Sequence, residues 1–468
     1  MSGERSASAV FGRWVLAERD GAAVILQDHY VIVEDGLIQE VTPQRPAGLE
    51  VYALEHALVL PGLINAHNHC GSSILFRGIT EDRSSSEASG ELIYRLLMPL
   101  GDLAVETLSD DEMAAVMELG LLEIIKGGTT TLFEIYRPGQ VKTFEAAARM
   151  GLRFYGGPYV FSTAKTNFSQ GRITYEVRGD ETLDLDWLRE LHARYDGAAE
   201  GRLHVAIAPH GCDTCGPELL RAVRALADEL GCLITIHLSQ SEPERAVVRE
   251  RYGVSPEQYL ADCGLLGPDL IVAHCVYSED ADLALLRESD TTVVSCPRTF
   301  ARSGLMAPFG RFTAKGIRTV VGTDGYNMDI VTELRAAGYA SKLFAGDSGA
   351  ATAWDLVAAA TTSGAEALRR PDLGRIAPGA RADLTVIDMD RPNIQPVGEP
   401  IKTFVWNATA ADVAAVVVDG EFLVRDGRFQ RADEDAIVRA GTAATHKVWD
   451  AAISQGILTA EDLGWQAD

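Results

Sequence analysis

Apolar and polar positions change rhythm twice along this chain. Over residues 23–41, AVILQDHYVIVEDGLIQEV alternates in the manner of strands, with Asp35-Gly36 as a hairpin turn. From about residue 59 to residue 368 the texture becomes apolar run, loop, amphipathic helix, repeated. It then returns to short strands and glycine turns in GRIAPGARADLTVIDMD and DVAAVVVDGEFLVRDGRF, with turns at Asp419-Gly420 and Asp426-Gly427. The last stretch, 433–468, reads as acidic and helical.

The middle region predicts eight strands, at 58–65, 129–134, 153–159, 203–209, 233–237, 270–274, 292–295 and 318–323. They are apolar at most positions, as in a parallel sheet buried on both faces. Between most of them lie helical patterns. Ser109-Asp110-Asp111-Glu112 is a capping box for a helix that runs to Lys126 and stops at Gly127-Gly128. Residues 217–230 form another, ended by Gly231, and further helices are expected at 139–150, 242–252, 279–289, 332–344 and 354–368. Eight such units predict an α/β chain folded as a (β/α)8 TIM barrel, whose active site lies at the C-terminal ends of the strands. The flanking β units would pair into one small β-sandwich built from both chain ends. The expected domains are 1–58 and 371–432 for the two parts of the sandwich, 59–370 for the barrel, and 433–468 for a helical segment. Two loops, 76–107 (containing SSSEASG) and 161–186, are long enough to act as lids.

Composition narrows the partners. The chain has 468 residues, 47% of them hydrophobic, which is enough for a large core. Its 67 acidic against 42 basic residues give a net charge of −25, which argues against nucleic acid or an anionic membrane as partner. Residues 1–20 lack a continuous apolar core and are interrupted by Arg5, Arg13 and Arg19, so no signal peptide is expected, and no apolar run approaches a membrane span. Seven scattered cysteines suit a reduced, cytoplasmic chain without a disulfide framework. Cys212-x-x-Cys215 lacks the second pair that a zinc or redox motif needs.

The chemistry begins at LVLPGLINAHNH, which delivers His67 and His69 two residues apart. On an extended chain such residues point the same way and can share one ion. Alone, the pair fits two solvated loop histidines better. However, five of the ten histidines lie at or just past a predicted strand end: His67, His69, His210, His237 and His274. Strand eight ends on Asp324 in GTDG. Neutral imidazoles with one carboxylate suit a divalent transition ion such as Zn2+, Co2+, Mn2+ or Fe2+. Asp324 is the natural residue to move a proton to or from a water at that site.

PGLINAHNH, the His237 strand, AHC at His274 and GTDG at Asp324 resemble the amidohydrolase superfamily, in its triazine hydrolase and cytosine deaminase-like branch. IAPGARADLTVID and VVVDGEFLVRDG are similar to the family's C-terminal segment, so the resemblance spans nearly the whole chain. It implies one metal ion held by His67, His69, His237 and Asp324, with Asp324 and His274 catalytic and His274 either a ligand or a hydrogen-bond partner of the water. It also implies His210 on the substrate, and a homo-oligomer, dimer or tetramer. LHVAIAPH carries no lysine of the kind that bridges two metals in relatives, which favours a single ion. The full donor set argues against those relatives that have lost their ligands and serve in assembly.

Two departures bear on the substrate. Deaminases of the family carry a glutamate three residues after the strand-five histidine, where this chain has Gln240 in His237-Leu-Ser-Gln240-Ser-Glu242. An amide hydrogen-bonds but cannot shuttle a proton. The histidine-asparagine-proline element after strand seven is replaced by Ser295-Cys296-Pro297-Arg298-Thr299. HLSQS with CPRTFARSG is similar to the molinate hydrolase and phenylurea hydrolase subgroup. That similarity implies cleavage of a thiocarbamate, urea or amide C–S or C–N bond in a small molecule. The alternative is an aminohydrolase, deaminase or chlorohydrolase of a nitrogen heterocycle such as a triazine or purine, with Glu242 or a water supplying the proton.

Overall fold

The computed structural model describes residues 7–80, 92–136, 142–169, 172–177, 185–306 and 308–464. The expected SSSEASG tract, residues 139–141 of the helix expected at 139–150 and the last four residues lie outside them. The first strands are β1 Ser8–Arg19, β2 Ala22–Glu34, β3 Leu37–Thr42, β4 Glu50–Ala53 and β5 Ala57–Pro61. Asp20-Gly21 and Asp35-Gly36 both take positive φ at each residue, the turn that matches the twist of a tight hairpin. β1 is absent from the hydropathy reading because Arg13 and Arg19 break its apolar pattern.

The run expected as one strand at 58–65 is two. β5 ends at Pro61, and β6 Leu63–Asn68 begins after Gly62. A Cβ on Gly62 would lie 2.1 Å from Thr130 Oγ1, so only glycine lets the chain pass there. The run thus crosses from the terminal sheet into the barrel. The remaining barrel strands are β7 Thr129–Tyr136 and β8 Arg153–Val160, then, beyond a hairpin of β9 Thr163–Ser169 and β10 Arg172–Val177, β11 Leu203–Val205 with β12 Ala208–Pro209, β13 Ile234–Leu238, β14 Leu270–His274, β15 Thr292–Ser295 and β16 Thr319–Val321. The hairpin stands where a loop was expected at 161–186. The helix expected at 354–368 is two, Ala353–Ala359 and Thr362–Ala367.

Parallel pairing runs β6–β7–β8–β11/β12 and β13–β14–β15–β16. Single bridges close the ring: Ile207 to Ile234 and Gly211 to His237 on one side, Asn68 to Asp324 on the other. Alternation along the strands separates two cores. Ile64, Phe133, Tyr155, Ala206, Ile271, Val294 and Val320 form one cluster, the barrel interior. Their chain neighbours Leu63, Leu132, Phe154, Val272, Val293 and Val321 belong to the cluster completed by the outer helices. This closed α/β barrel is the expected architecture.

After the barrel come β17 Leu384–Asp388, β18 Val413–Val418, β19 Glu421–Arg425 and β20 Arg428–Phe429. They join β5 and β1–β4 in one nine-stranded sheet, ordered β20-β19-β18-β17-β5-β1-β2-β3 with β4 on β1. The sheet curls until Ile38 N–H reaches Ala380 O at 2.8 Å. Helix Glu434–Ser454 packs back on Asp110–Lys126. Among the described residues no helix is long and apolar enough to cross a membrane.

Arg153, at the start of β8, fastens the barrel to this sheet and is fully buried. Its guanidinium donates to Asp383 at 2.9 and 3.1 Å and to Asp419 at 2.7 Å. Burial opposes the charge, but the two carboxylates hold the guanidinium more firmly protonated than usual. Arg153→Met would leave Asp383 in the interior without a cation, while Asp419 keeps Arg381 at 2.6 Å. It is expected to cost about 3–5 kcal/mol in urea unfolding; a loss below about 1 kcal/mol would show that the ion pair is not the fastening.

Candidate active site

Five strand ends converge on one point. β6 carries a bulge: Asn65 faces Leu132 and Asn68 faces Glu134, three residues against two. Such an extra residue re-aims the side chains that follow, and here these are His67 and His69. Their rings lie 4.9 Å apart, edge to face, and both approach Asp324. His67 Nε2 is 3.6 Å and His69 Nε2 3.3 Å from Asp324 Oδ1, and His274 Nε2 is 4.0 Å from Oδ2. His237 Nε2 lies 3.3 Å from His69 Nε2. One donor atom from each of His67, His69 and Asp324 falls within a 4.8 Å group, and so does one from each of His67, His237 and His274.

Neighbouring groups fix the tautomers. His69 Nδ1 donates to Ile135 O at 2.9 Å, and His237 Nδ1 to His210 O at 2.7 Å, which leaves each Nε2 lone pair facing the cluster. Both nitrogens of His67, and Nδ1 of His274, are buried without a hydrogen-bond partner among the described residues. Unpaired buried nitrogens cost free energy unless something takes their lone pairs. Burial depresses His67, drives His237 well below the usual imidazole range, and lowers His274 to about 3. For His69 burial acts the same way, but the Asp324 carboxylate overrides it and the ring is raised. Burial would lift Asp324, yet the His67 and His69 rings hold it well below the carboxylate range. Imidazole nitrogens grouped around an ionised carboxylate fit one divalent transition ion.

Above the cluster opens a cavity. Its floor includes His69, His237, His274 and Asp324. Phe76, Leu92, Ile93, Leu97, Met98 and Phe300 form its apolar wall. Among the described lining residues Asp324 is the one carboxylate, and none is a lysine or arginine. His210 and Gln240 both line it, as the sequence reading expects. Thr214 Oγ1 gives its proton to Gly211 O (3.2 Å), so His210 Nδ1 donates to Thr214 Oγ1 at 2.9 Å and a neutral ring keeps Nε2 as an acceptor.

Glu242 stands apart from the cavity. It opens helix Glu242–Tyr252, its side chain is 62% exposed, it pairs with Arg245, and it does not line the cavity. It therefore cannot replace the missing glutamate. Phe161 packs on His210 and is absent from the cavity lining, whereas Phe76 and Leu97 are part of it. Glu134 accepts the Cys70 N–H at 2.8 and 2.9 Å, a structural role, and burial raises its carboxyl to about 8.

Three features escape a sequence reading. Tyr159 lines the cavity with its hydroxyl 3.3 Å from His69 Nδ1; a tyrosine ending strand three was the available signal. Glu244 accepts the N–H groups of Ser239 (3.1 Å) and Gln240 (2.8 Å), holding Ser239 at φ 47° and seating Gln240. Arg298 of the altered CPRTF element faces away from reaction chemistry: it binds Glu333, Thr332 Oγ1 (2.6 Å) and the carbonyls of Asn327 (2.7 Å) and Asp329 (3.0 Å).

Glu242→Gln is expected to leave turnover within about twofold, as for a surface change away from the site. A loss of about tenfold or more in steady-state kinetics would show that this side chain reaches the reaction.

The Amidohydrolase family model matches residues 58–423. The 5-methylthioadenosine/S-adenosylhomocysteine deaminase of Nitratidesulfovibrio vulgaris, strain Miyazaki F, is 32% identical over 434 residues, covering 90% of this chain and 93% of its own. The 5'-deoxyadenosine deaminase of Methanothermobacter thermautotrophicus is 32% identical over 422 residues, covering 88% and 93%. An adenosine deaminase from Xanthomonas campestris, solved with bound zinc, superposes with a TM-score of 0.83 at 25% identity, covering 94% of this chain and 98% of its own. A triazine hydrolase from Arthrobacter aurescens shares the fold, with a TM-score of 0.82 at 23% identity over 94% and 100% of the two chains. Barrel, donor set and family match agree: the chain belongs to the amidohydrolase family, as a metal-dependent enzyme of it.

Proposed function

We propose that this enzyme is an aminohydrolase that removes ammonia or an amine from a ring carbon of a neutral nitrogen heterocycle. The observation that carries the reading is the histidine–aspartate floor of a cavity whose described lining bears no other charged group. Curated relatives covering nine-tenths of the chain are deaminases of adenine nucleosides, which supports a ring amine over the thiocarbamate first expected.

In this reading His67, His69, His237 and Asp324 would hold one divalent ion, with His274 beside it as a further donor or as partner of the attacking water. When bound, such an ion acidifies a water and polarises the atom attacked. Asp324, kept ionised by the surrounding rings, takes the proton of the attacking water. The water oxygen bonds to the ring carbon. The C–N bond then breaks, and the nitrogen leaves with the proton that Asp324 returns. Tyr159 and His210 offer hydrogen bonds that fix the ring over the floor. Gln240 contacts the ring as donor or acceptor and moves no proton. The apolar wall excludes water from the side opposite attack.

Gln240 also favours a second reading, hydrolysis of a thiocarbamate, urea or amide. A thiolate leaving group needs little help from an acid, and no second carboxylate stands in the described cavity.

A product assay separates the two. Protein reconstituted in turn with Zn2+, Co2+, Mn2+ and Fe2+ meets adenine nucleosides, aminotriazines, S-alkyl thiocarbamates and phenylureas, with products identified by mass spectrometry. Ammonia or amine release from the ring compounds is expected. Thiol or aniline release from the carbonyl compounds, with the rings untouched, would overturn the main reading. Asp324→Asn is expected to lower kcat by about 10²–10⁴-fold on whichever compound is turned over. A change of less than about tenfold would remove Asp324 from the proton path.

A further inference from the structure

The seam where the barrel closes carries more polar machinery than closure requires. β16 meets β6 through one backbone bridge, between Asn68 and Asp324, with Asp324 N–H donating to His67 O at 2.9 Å. Side chains supply the rest. Thr323 Oγ1 accepts from Asn65 Nδ2 at 2.7 Å and from Asn68 Nδ2 at 2.8 Å, and the Thr323 N–H donates back to Asn65 Oδ1 at 3.0 Å. Asn68 Nδ2 also donates to Asp324 O at 2.6 Å. Asn65, Asn68 and Thr323 are all buried.

The arrangement is costly in two ways. Asn68 Oδ1 is buried with no partner among the described residues, and Asp324 sits at φ 54°. A buried acceptor without a donor and a left-handed non-glycine residue both cost free energy. Apolar residues would close a barrel seam more cheaply. Gly322 shows how tight the approach is: a Cβ there would lie 2.7 Å from His67 Cβ and 2.8 Å from His67 N and O. Three of the four residues that would hold the ion, His67, His69 and Asp324, stand on this one seam.

We infer that Asn65, Asn68 and Thr323 are positioning residues for the metal ion: their ring of hydrogen bonds sets the spacing between His67, His69 and Asp324 before the ion arrives. The Asn68 amide holds the Asp324 carbonyl and so keeps its carboxylate turned to the two histidines. The Thr323 hydroxyl ties both asparagines to the strand that carries Asp324. The inference rests on the reading that these histidines and Asp324 hold the ion.

The test uses full-length, metal-free protein titrated with Co2+ against a competing chelator, followed by the visible absorption of bound cobalt. Thr323→Val removes the hydroxyl at constant shape, Thr323→Ser keeps it, and His67→Ala serves as the ligand control. Thermal unfolding of each metal-free protein is measured alongside. Thr323→Val is expected to bind Co2+ about 10–100-fold more weakly, with an altered band, as when a group holding a ligand is lost. Thr323→Ser is expected to stay within about threefold of wild type. Should Thr323→Val fail to fold, Asn68→Ala, which frees the Asp324 carbonyl, is read the same way. An unchanged affinity and band in Thr323→Val, or an equal loss in Thr323→Ser, would overturn the inference. A lower metal-free melting temperature with unchanged cobalt affinity would do so too, leaving the network purely structural. If wild type binds no Co2+, or His67→Ala binds it like wild type, the ligand assignment falls and the inference with it.

Discussion

One ionised carboxylate buried among imidazoles is the interaction on which the rest of the molecule depends. Asp324 is 7% exposed, and three histidine nitrogens lie within 4.0 Å of its oxygens. A carboxylate cannot stay charged at such depth without compensating partners. Here those partners come from the ends of two strands, β6 and β14, far apart in sequence from each other and from Asp324, so the charge is tolerated only where the barrel closes. Closure, donor geometry and an acid–base group suited to hydrolysis are therefore one structural fact. The left-handed backbone at Ser239, His274, Cys275 and Asp324 marks how far three strand ends bend to meet it.

Much of this was legible in the chain. Strand-end histidines are visible because a parallel barrel is written as apolar runs, and a polar residue ending such a run is conspicuous. His67, His69, His237, His274 and Asp324 all stand at or just past the end of such a run. The capping box at Ser109 and the Asp-Gly turns were equally direct, since each is a local rule satisfied by adjacent residues. What stayed hidden depends on contacts across the fold. The break at Gly62 is set by Thr130, and β1 gains its apolar partners only when β2, β4 and β5 align beside it. Glu244 reads as an ordinary residue in the first turn of a helix, and nothing local reveals that it turns back to Ser239 and Gln240.

The same distinction governs specificity. The family is declared by the floor of the site, whose residues lie in recognisable motifs. The substrate is declared by the walls, drawn from Phe76, the helical turn at Ile93–Leu97 and the segment around Phe300. Gln240 lies at the boundary. Its position is set by Glu244 from below, and its amide faces a cavity in which Asp324 is the sole described carboxylate. The described cavity therefore offers a single carboxylate, Asp324, on its floor and an amide, Gln240, beside it. Glu242, two residues away in sequence, lies outside this arrangement because the helix it opens turns it to solvent.

The proposed ion at the barrel seam unites closure, donor set and chemistry. An anomalous-difference map from crystals of cobalt-loaded, full-length protein tests it most directly. A single peak is expected at roughly 2.0–2.2 Å from nitrogens of His67, His69 and His237 and from a carboxylate oxygen of Asp324. A peak elsewhere, two peaks within the barrel, or none in protein that turns over substrate would contradict it.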